Sequence, residues 1–290
     1  MRGNLLHRRC SLPHASGSVR VVNSQRGVSI GLILGAGGPT GGPYIHAALE
    51  ELERVSGWSR HTAKTIVGTS AGAFVAASLQ HTNGETTLAQ FRELATLGNA
   101  AGLRPGLRHR LATVVRRTAG SVVAAVAPRG RPIAEYRVPS GPYHPGAEVV
   151  TVERGFGRRV RHALIHTPDP ESAIRASAAI PGLNAPIDLS GKLHVDGAVH
   201  SAANADIVSP DDHDALVVIA PMIAASGGSL VGRFHRAQLR FELRRWIAHG
   251  KPAIVIMPTV EEHRVRRDRP SFEQAGRRAV TRLVASRDEA

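Results

Sequence analysis

The stretch Gly68-Thr69-Ser70-Ala71-Gly72 narrows what this chain can fold into more than any other. Thr65-Ile66-Val67 before it reads as a strand, and the small-residue run Ala73-Phe74-Val75-Ala76-Ala77 after it reads as a helix. A serine at the tip of a sharp strand-to-helix turn, with glycine two residues either side, is the pattern of a nucleophile elbow. The turn is too tight for side chains at Gly68 and Gly72, and the strain it stores is tolerated where it presents a group for chemistry. The positive end of the following helix faces Ser70 and favours negative charge developing there. On its own G-x-S-x-G also occurs as a plain turn, so its surroundings decide.

A strand–loop–helix unit precedes the elbow. Residues 28–34 (VSIGLIL) read as a buried strand. The glycine-rich run Gly35-Ala36-Gly37-Gly38-Pro39-Thr40-Gly41-Gly42-Pro43 comes next, then a helix with Ile45, Ala48, Leu49 and Leu52 on one face. Pro43 suits the first turn of that helix, where a missing N–H costs nothing. Three functions fit such a loop in principle. A Walker A loop would end in Gly-Lys-Ser/Thr, and no lysine is present here. A dinucleotide fingerprint G-x-G-x-x-G fits in neither register, because Thr40 or Ala36 falls on a required glycine. The third is an oxyanion hole of backbone N–H groups at a helix N-terminus, with Gly37 and Gly38 as donors because Pro39 has no N–H. A ligand-free turn is the plain structural reading. With a serine elbow on the next strand, the oxyanion hole ranks first.

Further along, strands are expected over 148–152 and 160–166, joined through Gly155-Phe156-Gly157. A short helix opens at Asp169-Pro170-Glu171 and stops at Pro181-Gly182, and a strand over 192–195 runs into Asp196-Gly197-Ala198. Asp–Gly is a common turn, so Asp196 alone reads first as structural. Strands over 215–220 and 253–257 alternate with helices over 86–97, 234–248 and 271–285. This alternation predicts an α/β layered fold. The chain divides into a basic disordered tail (1–27), a main domain (28–258) with a cap-like basic insertion (98–145), and a C-terminal helical extension (259–290).

The formal net charge is +14, nearly all from arginine, since Lys64, Lys192 and Lys251 are the only lysines. From Leu94 to Ala134 there is no acidic residue, and seven arginines alternate with apolar residues. Such a segment suits an anionic membrane surface, or else is a hydrated solvent face. No RNP, zinc-finger or basic-zipper pattern accompanies the charge, so no specific nucleic acid is expected. No apolar run approaches the roughly 20 residues of a membrane span. A single cysteine, Cys10, allows no internal disulfide, and no His/Cys/Asp cluster has metal-ligand spacing. Residues 1–27 lack the apolar core of a secretory signal, so the expected location is cytoplasmic, with peripheral contact to a membrane.

Taken together these motifs resemble the patatin-like phospholipase family. Ala36 to Gly41 is similar to its G-G-G-x-Arg/Lys-G loop, Gly68 to Gly72 to its G-x-S-x-G elbow, and Asp196-Gly197-Ala198 to its Asp-Gly-Gly/Ala motif. The stretch Ala173-Ile174-Arg175-Ala176-Ser177-Ala178-Ala179-Ile180-Pro181-Gly182 looks like the family's A-x-R-A-S-x-x-x-P segment. The resemblance covers residues 28–258 and departs at three places. Ala36 replaces a glycine, Thr40 replaces the basic residue, and Ser201-Ala202-Ala203-Asn204-Ala205-Asp206 replaces the usual Asn-x-Pro element. The resemblance implies a three-layer α/β/α sandwich with a mostly parallel sheet. It implies a lipid acyl hydrolase with Ser70 as nucleophile, Asp196 as general base and Gly37 and Gly38 as the oxyanion hole. Gly41, Gly68, Gly72 and Gly197 would support the motifs, and no cofactor or metal is needed. A Ser-His-Asp α/β-hydrolase is the alternative by residue order, since His200, His213, His249 and His263 follow Asp196. A catalytically silent relative acting at a membrane surface is the non-enzymatic one.

Overall fold

The computed structural model describes residues 29–79, 130–133, 137–155, 157–224 and 230–288. The tail, the helix expected over 86–97 and most of the basic insertion fall outside them. Among the described residues the sheet has eight strands: β1 (Ile30–Leu34), β2 (Thr65–Gly68), β3 (Ala147–Glu153), β4 (Arg159–Ala163), β5 (Ile187–Leu189), β6 (Lys192–Asp196), β7 (Ala215–Ile219) and β8 (Ala253–Ile256). The helices are α1 (Gly38–Ser56), α2 (Ala71–Ser78), α3 (Pro170–Ser177), α4 (Leu230–Ala248), α5 (Val260–Arg264) and α6 (Arg269–Asp288).

The parallel part runs β3-β2-β1-β7-β8, with β1 central and fully buried. Strands buried on both faces carry continuous apolar runs, as IGLIL in β1 and ALVVI in β7 do. Successive side chains point to opposite faces, so Leu32 and Leu34 join one core and Ile33 joins the other. On the first face α1, α2 and α6 pack, with Tyr44, Leu49, Val75 and Phe272 buried there. On the second face α4 contributes Leu239, Leu243 and Trp246. Trp246 is fully buried and its indole N–H donates to the Val208 carbonyl at 3.0 Å, so its polar edge costs nothing. The result is a sheet between two helical layers, as the alternation of elements predicts.

Helix α1 begins at Gly38, not near Pro43, which lies inside the helix. The intervening glycines are poor helix formers. Tertiary contact overrides that: Gly41 packs closely beside the Ala71 Cβ and the Pro221 ring. The residues after Pro258 are part of the packing. Helix α6 lies along α1, and its Phe272, Ala275, Ala279 and Val280 belong to the same core as β1.

The sheet becomes antiparallel beyond β3. One edge of β3 pairs with β4, matching Val149 with His162 and Thr151 with Val160. Val149 also pairs with Gly68 of β2, and Thr151 with Asp196 of β6. A strand residue has one neighbour on each side, so β2 and β6 share the other edge of β3. They run in opposite directions and meet end to end. At a rise of roughly 3.3 Å per residue, the pairing sites of Gly68 and Asp196 are about 7 Å apart along β3.

Candidate active site

This meeting of strand ends builds the site. Ser70 follows β2 by two residues and adopts φ 55° and ψ −118°. A non-glycine residue held there stores on the order of 1–3 kcal/mol of strain. The surroundings enforce it. The Thr69 N–H donates to the Leu34 carbonyl at 2.9 Å, and those of Gly72 and Ala73 donate to Thr69 O and Ser70 O at 2.9 Å each. The Ser70 N–H donates to the Ser177 hydroxyl at 3.0 Å, which donates in turn to the Val150 carbonyl at 2.7 Å. Ser177 closes α3, which shares a core with α2, so the segment singled out by its A-x-R-A-S pattern anchors the elbow. Gly72 lies so close to β1 that a Cβ would strike the Leu34 carbonyl oxygen.

Asp196 ends β6 and is buried. Its N–H donates to Ala179 O at 2.9 Å, and its Oδ1 accepts from the Ala198 N–H at 2.8 Å, which turns the chain sharply away. Gly197 lies flush against the Val150 carbonyl and the Thr69 side chain. Asn204 ties the two arms together. It is fully buried in a left-handed conformation (φ 56°), and its amide donates to Thr69 Oγ1 at 3.1 Å and to Ser201 O at 2.8 Å. Glu242 of α4 supports this loop from behind by accepting the Ala205 N–H at 2.8 Å. Burial pushes the Glu242 carboxyl up to about 7.

Beneath β6, the Thr151 hydroxyl lies 2.8 Å from His162 Nε2 and 2.8 Å from His194 Nδ1. Burial lowers both histidines, His162 to about 4. Two neutral rings then suit one hydroxyl, which can donate to one and accept from the other.

Gly37 caps α1, and Gly38, with φ 59°, is its first residue. The first N–H groups of a helix have no partner inside it, so this end can receive an anion. Gly37, Gly38, Ser70 and Asp196 all line one cavity of about 150 Å³. Gly41, Gly68, Gly72 and Gly197 stand behind that wall and let its elements approach one another. Residues from late in the chain also line it: Pro221, Met222, His235, Arg266 and Phe272.

The histidines singled out by order lie elsewhere. His213 bonds Thr65 Oγ1, at the start of β2 and so at the far end from Ser70. His249 pairs with Asp211. Neither these nor His200 and His263 line the cavity, whereas His235 of α4 does. Among the described residues no group of three or more His, Cys, Asp or Glu side chains could hold a metal ion. Among them also no helix is long and apolar enough to cross a membrane.

The model of the patatin-like phospholipase family matches residues 32–209, more than half of the chain, from the glycine-rich loop through Asp196 and Asn204. The chain belongs to this family. Family membership supports lipid acyl hydrolysis as its general activity. Among solved structures it is similar to VipD from Legionella pneumophila, with a TM-score of 0.40 at 10% identity over 89% of this chain and 67% of that one. No curated protein matches it in sequence. His235, Arg266 and Phe272 line the cavity from outside the segment matched by the family model.

Proposed function

We propose that the protein is a serine acyl hydrolase that cleaves carboxylic esters of lipids through a Ser70–Asp196 dyad. The observation that carries this reading is the convergence of β2 and β6 on one edge of β3, with Ser70 and Asp196 on one cavity wall. Asp196 takes the Ser70 hydroxyl proton as Ser70 Oγ attacks the ester carbon. The carbonyl oxygen becomes an oxyanion, held by N–H groups of Gly37 and Gly38, each such donor being worth about 10²–10³ in rate. Collapse releases the alcohol, which leaves with the proton from Asp196. Water then gives a proton to Asp196 and attacks the acyl-serine, and the acid departs as Ser70 regains its proton. No cofactor or metal is required. The basic charge of the chain suits a peripheral contact with anionic lipid, which would bring substrate to the cavity.

The test is labelling with a fluorophosphonate ester. Wild type is expected to be labelled and Ser70→Ala is not. A wild-type protein that is folded yet unlabelled would make the chain a silent family member.

The presence of His235 in the cavity favours one second reading, in which histidine takes the serine proton. Under the dyad, His235→Gln lowers kcat by less than about tenfold, against at least about 10³ for loss of the general base itself in a triad. A loss for His235→Gln equal to that for Ser70→Ala, with the fold intact, would transfer the base role to His235.

A further inference from the structure

Arg266 lines the same cavity as Ser70, on the linker between α5 and α6. The linker is held at both ends. The Thr259 hydroxyl and the Glu262 side chain cap α5 reciprocally, with Thr259 N–H donating to Glu262 Oε2 at 2.9 Å. Glu262 also receives Arg278 at 3.0 Å and both terminal nitrogens of Arg282 at 2.9 Å each. The Asp268 N–H donates to Val265 O at 2.8 Å, and its carbonyl accepts the Phe272 N–H at 3.1 Å. A linker held in this way fixes where the Arg266 backbone stands, which lowers the ordering cost of meeting a ligand.

Among the described residues the charge of Arg266 has no carboxylate partner. Glu262 is committed to Arg278 and Arg282, and the Asp268 carboxylate accepts from Ser271. Among the described residues no carboxylate oxygen lies within ion-pair distance of Arg266. Its guanidinium lies 3.0 Å from His263 Nε2 instead. Burial and the neighbouring Arg267 press it toward losing its proton, the condition of a half-buried cation that lacks an anion. The loop Gly37-Gly38-Pro39-Thr40 carries no cation. The remaining wall includes Phe272, Met222 and Pro221, which are apolar.

We infer that Arg266 is a specificity-determining residue that binds an anionic group, phosphate or carboxylate, carried by the substrate close to its acyl ester. Arg266 offers a planar fork of donors suited to two oxygens of one anion, and the apolar wall receives the acyl part. This selects an acyl ester with a charged neighbour over its neutral counterpart. It rests on the acyl hydrolase reading and names the substrate class of the same site.

The experiment compares butyrate release from 1-butyryl-glycerol 3-phosphate and from 1-butyryl-glycerol, both short enough to stay monomeric. Wild type is expected to favour the phosphate by tenfold or more in kcat/KM. Arg266→Gln should cut that ratio at least tenfold and Arg266→Lys should cut it less, with circular dichroism unchanged. An unchanged ratio in Arg266→Gln overturns the inference. Inorganic phosphate is added as a competitor of 1-butyryl-glycerol hydrolysis. If it inhibits at the concentration that half-saturates the phosphate ester, the site is one for the free anion and the inference also falls. A separate arm is independent of turnover. Calorimetry on the Ser70→Ala protein should show 1-O-butyl-glycerol 3-phosphate binding at least tenfold tighter than 1-O-butyl-glycerol, with the difference lost on adding Arg266→Gln. Equal affinities there overturn the inference even if the enzyme proves active. Selective binding without any hydrolysis would sink the acyl hydrolase reading and leave the anion site standing.

Discussion

Between Thr65 and Ser78 the chain carries no ionisable side chain, whereas between Lys192 and Asp206 it carries five: Lys192, His194, Asp196, His200 and Asp206. The serine arm is fixed mainly by backbone. Its hydrogen bonds run between main-chain groups of β1, β2 and α2, with Ser177 as the one side chain that reaches the Ser70 N–H. The aspartate arm is fixed by buried polar side chains: Asn204, Ser201, Glu242 and the Thr151–histidine cluster. Backbone posture is insensitive to pH and leaves no room for change. A polar network is tunable and titrates. Under the proposed dyad, the site joins a rigid nucleophile to a base whose setting depends on distant residues.

That contrast breaks most severely at Gly72. Gly72→Ala pushes a methyl into the Leu34 carbonyl, so the variant should fail to fold or lose more than about 3 kcal/mol. Thermal unfolding followed by circular dichroism checks it, and a variant as stable as wild type would show that the serine arm can yield.

Asn204→Ala is expected to act more gently and in a different way. Removing the buried amide leaves Thr69 Oγ1 and Ser201 O without their donor and costs about 1–3 kcal/mol. Asn204 does not line the cavity, so under the proposed dyad it acts as a positioning residue. The variant should lose ten- to a hundredfold in kcat with KM within about threefold. A change in stability alone, with kcat intact, would reduce it to a structural bond.

The smallest effects are those of pH, and they belong to the aspartate arm. The Glu242 carboxyl rises on folding to about 7, so the native state holds a proton that the unfolded chain releases. Stability from this group is full below the ordinary carboxylate range and is lost as pH climbs through 7. The loss is on the order of 1–3 kcal/mol, and Glu242→Gln should remove that slope. The His162–His194 pair acts oppositely. Both are lowered in the native state, so their contribution is full above the ordinary histidine value and drains away as pH falls toward about 4. Denaturant titrations of wild type and Glu242→Gln between pH 4 and 8 read both. A Glu242→Gln slope identical to that of wild type would mean that the carboxyl does not titrate where its burial puts it.

The same contrast explains what the sequence discloses. The elbow is legible because glycine, serine and the flanking strand and helix lie within a few residues. The parallel strands β1, β7 and β8 are legible because burial on both faces leaves continuous apolar runs. The start of α1 is not, because contacts with Ala71 and Pro221 overrule the helix-breaking glycines ahead of Pro43. The short strand β5 is not either, since Ile187-Asp188-Leu189 carries too little pattern and is defined by pairing with β6. Asn204 reaches Thr69 across 135 residues, and Ser177 reaches Ser70 across 107. Partnerships of that separation exist only once the sheet has formed. Ser177 had a signal in the A-x-R-A-S segment, but its role did not. His235 and Arg266 had none, because a lone histidine or arginine in a basic chain looks like any other.

The central claim is that Ser70 and Asp196 act together although they come from arms built so differently. The most direct measurement is hydrolysis of p-nitrophenyl butyrate by wild type, Ser70→Ala and Asp196→Asn, with folding checked by circular dichroism. Wild type is expected to turn over, and each variant to lose at least about 10³-fold while the fold survives. An Asp196→Asn protein that keeps wild-type kcat, or a folded wild type with no turnover at all, would contradict the claim.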